Sequence, residues 1–333
     1  MTLPAFRIER PRSVEDAVRI LAAHGPDAMI IAGGTDVIPN IQMGLFTPRV
    51  AVDIKSLREL AGITYSQKDG LRIGALTSLT AICESAVVRQ HFPVLASAVA
   101  TIAGPLQRNM GTLGGNLCLE TRCRWYNQSY FWRKALGFCL KKDGDVCHVA
   151  SGGKRCWAVW SGDAAPALLA LNAEVEIRGP RGTRRLALTN FYPNDGMNRI
   201  ALAPDELLTA VHVPARAAGR CGTYQKLRIR NSIDYPLVGV AVALDVDVQG
   251  ICRDARVAVN AVNPAPLLVN EAAGWLAGQK YSRELVEHVA EQAIRTGKPL
   301  TTSASTPDYR RDMLRVFTRR ALEQAWSQRN GGQ

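Results

Sequence analysis

No apolar run in the 333 residues approaches the ~18–20 needed to cross a bilayer. The opening residues, MTLPAFRIERP, mix acidic and basic side chains where a secretion signal needs an apolar stretch, so the cytoplasm is the expected compartment. There is no C-x-x-C pair, no zinc-finger spacing and no G-x-G-x-x-G fingerprint, which removes the simplest zinc and nicotinamide-type sites. Internal repeats and low-complexity tracts are also missing. Histidine is scarce: His24, His91, His148, His212 and His288 lie scattered, and no acid–base or nucleophilic constellation forms around them. Acidic residues are outnumbered 29 to 41, a net charge of +12, yet no nucleic-acid motif accompanies the surplus. A solvated basic surface that docks an acidic protein, such as an electron carrier, is expected instead.

What is present is concentrated between Cys118 and Trp160. Cys118, Cys123, Cys139, Cys147 and Cys156, five of the eight cysteines, fall within 39 residues, and the stretch to Trp160 also holds Trp125, Trp132, Trp157 and Trp160. Arg122, Arg124, Arg133, Lys134, Lys141, Lys142, Lys154 and Arg155 face only Glu120, Asp143 and Asp145. Without a secretion signal, such cysteines point to reduced thiols or metal ligands rather than disulfides. Four thiolates on an oxidised [4Fe–4S] core leave a charge near −2, which the basic side chains would offset while the tryptophans exclude water. Iron–sulfur is favoured over zinc on this ground; density alone does not say which four cysteines bind. Cys83, Cys221 and Cys252 are isolated and read as small buried apolar residues.

The flanking chain reads as a nucleotide-binding scaffold. A helix over 13–24 starts on Ser13 and stops at Gly25. A buried strand over 28–32 runs into Gly33-Gly34-Thr35-Asp36, where paired glycines let backbone N–H groups approach a phosphate. Strands over 50–54, 63–66 and 71–75 follow, then a helix capped by Thr77 or Ser78 and another from Pro93 that Gly104-Pro105 ends. A second glycine loop, Thr112 to Asn116, can hold the other phosphate of a dinucleotide. Beyond the cysteines come a helix from Asp163, a hairpin over 173–188, a strand over 206–213 and a linker over 214–220. Strands over 223–229, 239–248 and 255–261 and helices over 268–277, 283–296 and 309–327 then read as a separate α+β domain. The last helix carries Arg310, Arg311, Arg315, Arg319 and Arg320, read as a solvated basic face.

IAGGTD at 31–36, GTLGGN at 111–116, GDAAPAL at 162–168 and KLRIRNSIDYPLVGVA at 226–241 resemble the FAD-binding medium subunits of the xanthine oxidase/carbon monoxide dehydrogenase family. Within it, CLETRCRWYNQSYFWR at 118–133 and the cysteines at 123, 139, 147 and 156 resemble the β subunits of 4-hydroxybenzoyl-CoA reductases, in which an extra loop binds a [4Fe–4S] cluster. The resemblance implies an α+β chain: a two-part PCMH/vanillyl-alcohol-oxidase-type FAD domain over 1–216, carrying a [4Fe–4S]-binding insert at 118–160, then a CO dehydrogenase flavoprotein C-terminal-like domain over 220–330. It implies that Ile31, Ala32, Gly33, Gly34, Thr35, Asp36 and Val37 wrap the FAD pyrophosphate. Thr112, Gly114, Gly115 and Asn116 would form the second loop. Ile102 would pack on the flavin ring, Asp163 would bond ribityl hydroxyls, and Lys226, or a neighbour in the 226–237 stretch, would lie near the isoalloxazine edge. Cys123, Cys139, Cys147 and Cys156 are the implied cluster ligands, with Cys118 left out.

The function so implied is electron transfer by an oxidoreductase subunit. Electrons would pass from ferredoxin through [4Fe–4S] and FAD to two [2Fe–2S] clusters and a molybdenum site on partner subunits, in a dimer of heterotrimers. There 4-hydroxybenzoyl-CoA would be reductively dehydroxylated to benzoyl-CoA. Another aromatic or N-heterocyclic substrate is the alternative, and a zinc-stapled scaffold without flavin is a third expectation. Neither nucleic acid nor membrane is expected as a partner.

Overall fold

The computed structural model describes residues 3–150, 152–302 and 304–329; residues 1, 2 and 330, which the expected domain limits include, lie outside them. Ser13 Oγ accepts from Asp16 N at 3.1 Å, and Gly25, at φ 51°, closes the helix Val14–His24. The apolar stripe Val14, Ala17, Val18 and Leu21 then has one place to go. It packs on a parallel sheet of β1 (Arg7–Glu9), β2 (Ala28–Ile31) and β3 (Val50–Asp53), in the order β1-β3-β2. At three residues, β1 is too short to show an alternation in the sequence.

A second, antiparallel sheet holds β4 (Ile63–Ser66), β5 (Gly70–Gly74), β6 (Glu174–Gly179), β7 (Gly182–Ala187) and β8 (Leu207–Val213), in the order β4-β5-β8-β6-β7. Because β8 lies between the two hairpins, chain on both sides of the cysteine segment belongs to one sheet. Its core faces the helices Pro93–Ala100, Leu113–Leu117 and Ala164–Ala170. Two expectations are corrected here. Gly104-Pro105 does more than end a helix: Gly104 stands at the cap of a further one, Pro105–Met110, with proline at its first turn. Gly114 and Gly115 lie inside the short helix Leu113–Leu117, whose start Thr112 caps by accepting from Gly115 N at 3.1 Å.

The third sheet is β9 (Cys221–Leu227), β10 (Val238–Val246), β11 (Cys252–Asn260) and a short β12 (Leu267–Leu268), in the order β12-β11-β10-β9. Strand β10 alternates valine with alanine, and the two sets serve different cores. Val238, Val240, Val242 and Leu244 pack on the helices Asn270–Leu276, Arg283–Thr296 and Pro307–Ser327, whereas Ala241 and Ala243 meet the core of the first two-thirds of the chain. Small side chains on that face allow the helix Ala164–Ala170 to sit close. The last helix corrects the solvated-face reading. Arg310 is 1% exposed and donates to the carbonyls of Leu237, Leu300 and Ala261, while Arg315 and Arg319 pair with Glu287. Among the described residues no helix is long and apolar enough to cross a membrane.

Glu206, ahead of β8, is gripped by Arg184 Nε and Nη2 at 2.9 and 2.8 Å and accepts from Ala203 N at 2.9 Å. The Arg184 guanidinium holds its carboxyl below the ordinary glutamate value of 4.5. A depressed native pKa contributes stability above the unfolded value and loses it as pH falls through the folded value. Glu206→Gln is therefore expected to cost about 1 kcal/mol at pH 7, Arg184 being partly exposed. In urea melts the gap from the wild type should close below pH 4.5; a gap that widened on acidification would refute this reading.

Candidate functional site

A cavity of about 760 Å³ opens between the parallel sheet, the short helices and the loop after β9, within the range of small-molecule sites. Of the residues implied as FAD contacts, Ala32 to Val37, Ile102, Thr112, Gly114, Gly115, Asn116 and Asp163 all line it; Ile31 and Lys226 do not. The two glycine segments, far apart in sequence, therefore face one space. They are also packed on neighbouring backbone. A Cβ on Gly33 would overlap the Met110 carbonyl oxygen, and one on Gly114 would stand 2.8 Å from Ala75 Cβ.

Several of these side chains are used inside the protein. Asn116 Oδ1 accepts from Ala164 N at 3.2 Å, capping the helix Ala164–Ala170. Asp163 occupies that helix's cap position, but its carboxylate turns aside to accept from Tyr224 Oη at 2.6 Å and from Lys226 Nζ at 2.8 Å. The Lys226 and Asp163 side chains are only 2% and 5% exposed. Burial pushes the Asp163 carboxyl above its ordinary value, against the pull of the ammonium and the phenol. Lys226 thus stands behind Asp163, bonded to it and to the Thr101 carbonyl at 3.1 Å, rather than on the cavity wall. Asp36 accepts from Arg122 Nη2 at 3.2 Å, which ties the first glycine loop to the root of the cysteine segment. Glu120 and Arg199 also line the cavity without having been read as site residues from the sequence, and so do Ile233, Asp234 and Tyr235, which belong to the motif at 226–241.

The cysteine segment forms a closed loop. Arg122 and Val159 exchange two backbone hydrogen bonds, 3.0 and 2.7 Å, at its root. Inside, Cys123, Cys139, Cys147 and Cys156 line one small cavity together with Trp125, Lys141 and His148. The Tyr126 and Ala158 N–H groups donate to Cys123 Sγ and Cys156 Sγ at 3.3 and 3.4 Å. Gly196 leans on this wall, where a Cβ would come 2.7 Å from Cys156 Sγ. Burial pushes the Cys156 thiol up to about 11 and that of Cys123 up as well. Cys118 lines the larger cavity instead. Among the described residues no group of three or more His, Cys, Asp or Glu is placed to hold a single metal ion. The tryptophans are corrected too: Trp125 lines the cysteine cavity, but Trp160 is buried in the main core against Tyr192, and Trp132 is 39% exposed. His148, read as merely scattered, packs at a tilt beside Trp125 with ring centroids 5.3 Å apart.

Paired glycine segments around a cavity of dinucleotide size define a nucleotide-cofactor-binding protein of two parts. Residues 4–216 match the FAD binding domain in molybdopterin dehydrogenase, and residues 222–325 match the CO dehydrogenase flavoprotein C-terminal domain. The chain belongs to the xanthine oxidase/CO dehydrogenase medium-chain family of FAD-binding subunits. It is 30% identical to the carbon monoxide dehydrogenase medium chain of Afipia carboxidovorans, over 96% of this chain and 96% of that one. It is 27% identical to the xanthine dehydrogenase FAD-binding subunit of Escherichia coli O157:H7, over 95% and 94%. Its fold overlays a crystal structure of the Cu,Mo-CO dehydrogenase in its cyanide-inactivated form with a TM-score of 0.81, at 28% identity, covering 98% of this chain and 99% of that chain.

Lys226→Met leaves Asp163 buried without its cation and is expected to cost roughly 3 kcal/mol, the toll of breaking one side of a buried pair. Urea denaturation of the variant checks this; a loss below about 1 kcal/mol, the scale of an exposed pair, would contradict it.

Proposed function

We propose that this chain is the electron-transferring flavoprotein subunit of a molybdenum hydroxylase-family complex, and that it carries one [4Fe–4S] cluster beside FAD. The observation that carries the cluster is the convergence of Cys123, Cys139, Cys147 and Cys156 on one buried cavity in the loop. Lys141 on the same wall would offset the negative charge of an iron–sulfur core held by four thiolates. Bound there, the cluster would supply one-electron chemistry, and FAD would link one- and two-electron steps.

The chain's own residues then have definite tasks. Ile31 to Val37, with Ile31 at the strand end behind the loop, would seat the pyrophosphate, and Thr112, Gly114, Gly115 and Asn116 would close over it. Ile102 would pack on the flavin ring. Asp163 would meet the ribityl chain, and Lys226 would hold that carboxylate in place. Arg122 and Asp36 fix the loop against the first glycine segment, so the two sites cannot drift apart.

The complex is completed by a molybdenum-cofactor large subunit and a [2Fe–2S] small subunit, as a dimer of heterotrimers. Its reaction in this reading is the reductive dehydroxylation of 4-hydroxybenzoyl-CoA on the large subunit, with ferredoxin as donor. Supporting the donor is the loop's outer face, where Phe131 is 82% exposed and Tyr130, Arg124, Lys134 and Lys154 are exposed with it. Iron and acid-labile sulfide in anaerobically purified protein should reach about four of each per FAD. Cys139→Ser should remove the iron and leave the flavin. Less than about one iron per chain would refute the cluster, and turnover of carbon monoxide or xanthine in place of the thioester by the assembled complex would refute the substrate.

A further inference from the structure

One ion pair touches both cavities. Lys141 belongs to the wall of the cysteine cavity and Glu120 to the wall of the larger one. Lys141 Nζ donates to Glu120 Oε1 at 2.6 Å, to Thr121 Oγ1 at 2.8 Å and to the Gly196 carbonyl at 2.5 Å. Three acceptors use up its three N–H bonds, and its side chain is 6% exposed, so the ammonium is held in one place. Gly196, one of those acceptors, is the residue that backs onto Cys156 and donates its N–H to the Cys156 carbonyl at 2.9 Å. The Glu120 side chain is 8% exposed, and its second oxygen faces Arg199 Nη1 at 3.8 Å.

We infer that Lys141 and Glu120 are positioning residues that set and couple the reduction potentials of the two centres. The inference rests on the cluster-plus-flavin reading above. An oxidised core on four thiolates carries a charge near −2, and one electron takes it to −3. A fixed ammonium beside Cys156 favours that added electron, and the poorly hydrated surroundings keep the attraction strong. The Glu120 carboxylate opposes added charge on both sides, because it faces the flavin cavity directly and the cysteine cavity through Lys141. Mutating one member of the pair therefore shifts the driving force between the centres, whereas mutating the other shifts both in the same direction.

The test is a redox titration of the assembled complex with dithionite, following flavin by absorbance and the cluster by electron paramagnetic resonance. Lys141→Met is expected to lower the cluster's midpoint by about tenfold in its reduction equilibrium, or 59 mV for one electron. Lys141→Arg should restore most of that shift. Glu120→Gln should raise the midpoints of cluster and flavin together. An unmoved cluster midpoint in Lys141→Met, or no rise in Glu120→Gln, overturns the inference. Should Lys141→Met fail to retain iron, Glu120→Gln decides alone: a rise supports the coupling and a fixed midpoint refutes it. Iron missing from the wild-type complex is a separate failure, of the cluster reading itself, and is seen before any variant is compared.

Discussion

A charge withdrawn from water must meet its opposite, and this chain places two such meetings where distant segments have to be joined. Asp163 and Lys226 connect the start of a helix in the first part to strand β9 in the second. Glu120 and Lys141 connect the scaffold to the far side of the cysteine loop. Leaving either partner alone in the interior is costly, so each pair specifies which segments lie together as well as how firmly. Arg310 solves the same problem without a carboxylate, by gathering three carbonyl oxygens. Burial lowers its pKa to about 10, still well above neutrality, so it stays charged under ordinary conditions.

Much of the architecture could be read from local signals. Ser13 and Gly25 bound the first helix, Ser282 and the i, i+3, i+4 pattern mark 283–296, and turn residues separate the hairpin strands. The glycine pairs were legible as close approaches, although the second is helical: Thr112 can cap a turn as readily as a loop, and two glycines do not distinguish them. What could not be read depended on partners remote in sequence. Nothing local to Lys226 says that Asp163 waits behind it, and nothing local to Arg310 shows three carbonyls converging. Counting tryptophans as a water-excluding wall failed for the same reason, since Trp160 follows the chain back into the main core.

The cysteine loop illustrates the same division. Its density of sulfur and positive charge signalled a metal centre, and the spacing of four cysteines resembled one branch of the family. Which thiols share a cavity is a tertiary fact. The root pair Arg122–Val159 closes the loop, and the turn at Cys139–Asp143 brings two cysteines inward. Cys118, only five residues before Cys123, ends on the other cavity because the helix Leu113–Leu117 directs it there. A loop that closes on itself at Arg122–Val159 leaves the sheets beneath it unaltered, and in the proposed reading it would give the fold a second redox site.

The central claim is that the loop encloses an iron–sulfur core next to a flavin. Diffraction from anaerobically grown crystals of the complex, collected on both sides of the iron absorption edge, addresses it most directly. The account predicts a compact anomalous peak enclosed by Cys123, Cys139, Cys147 and Cys156, separate from flavin density between the glycine segments. Flavin in place with those four sulfurs surrounding no iron, or a single zinc, would contradict it.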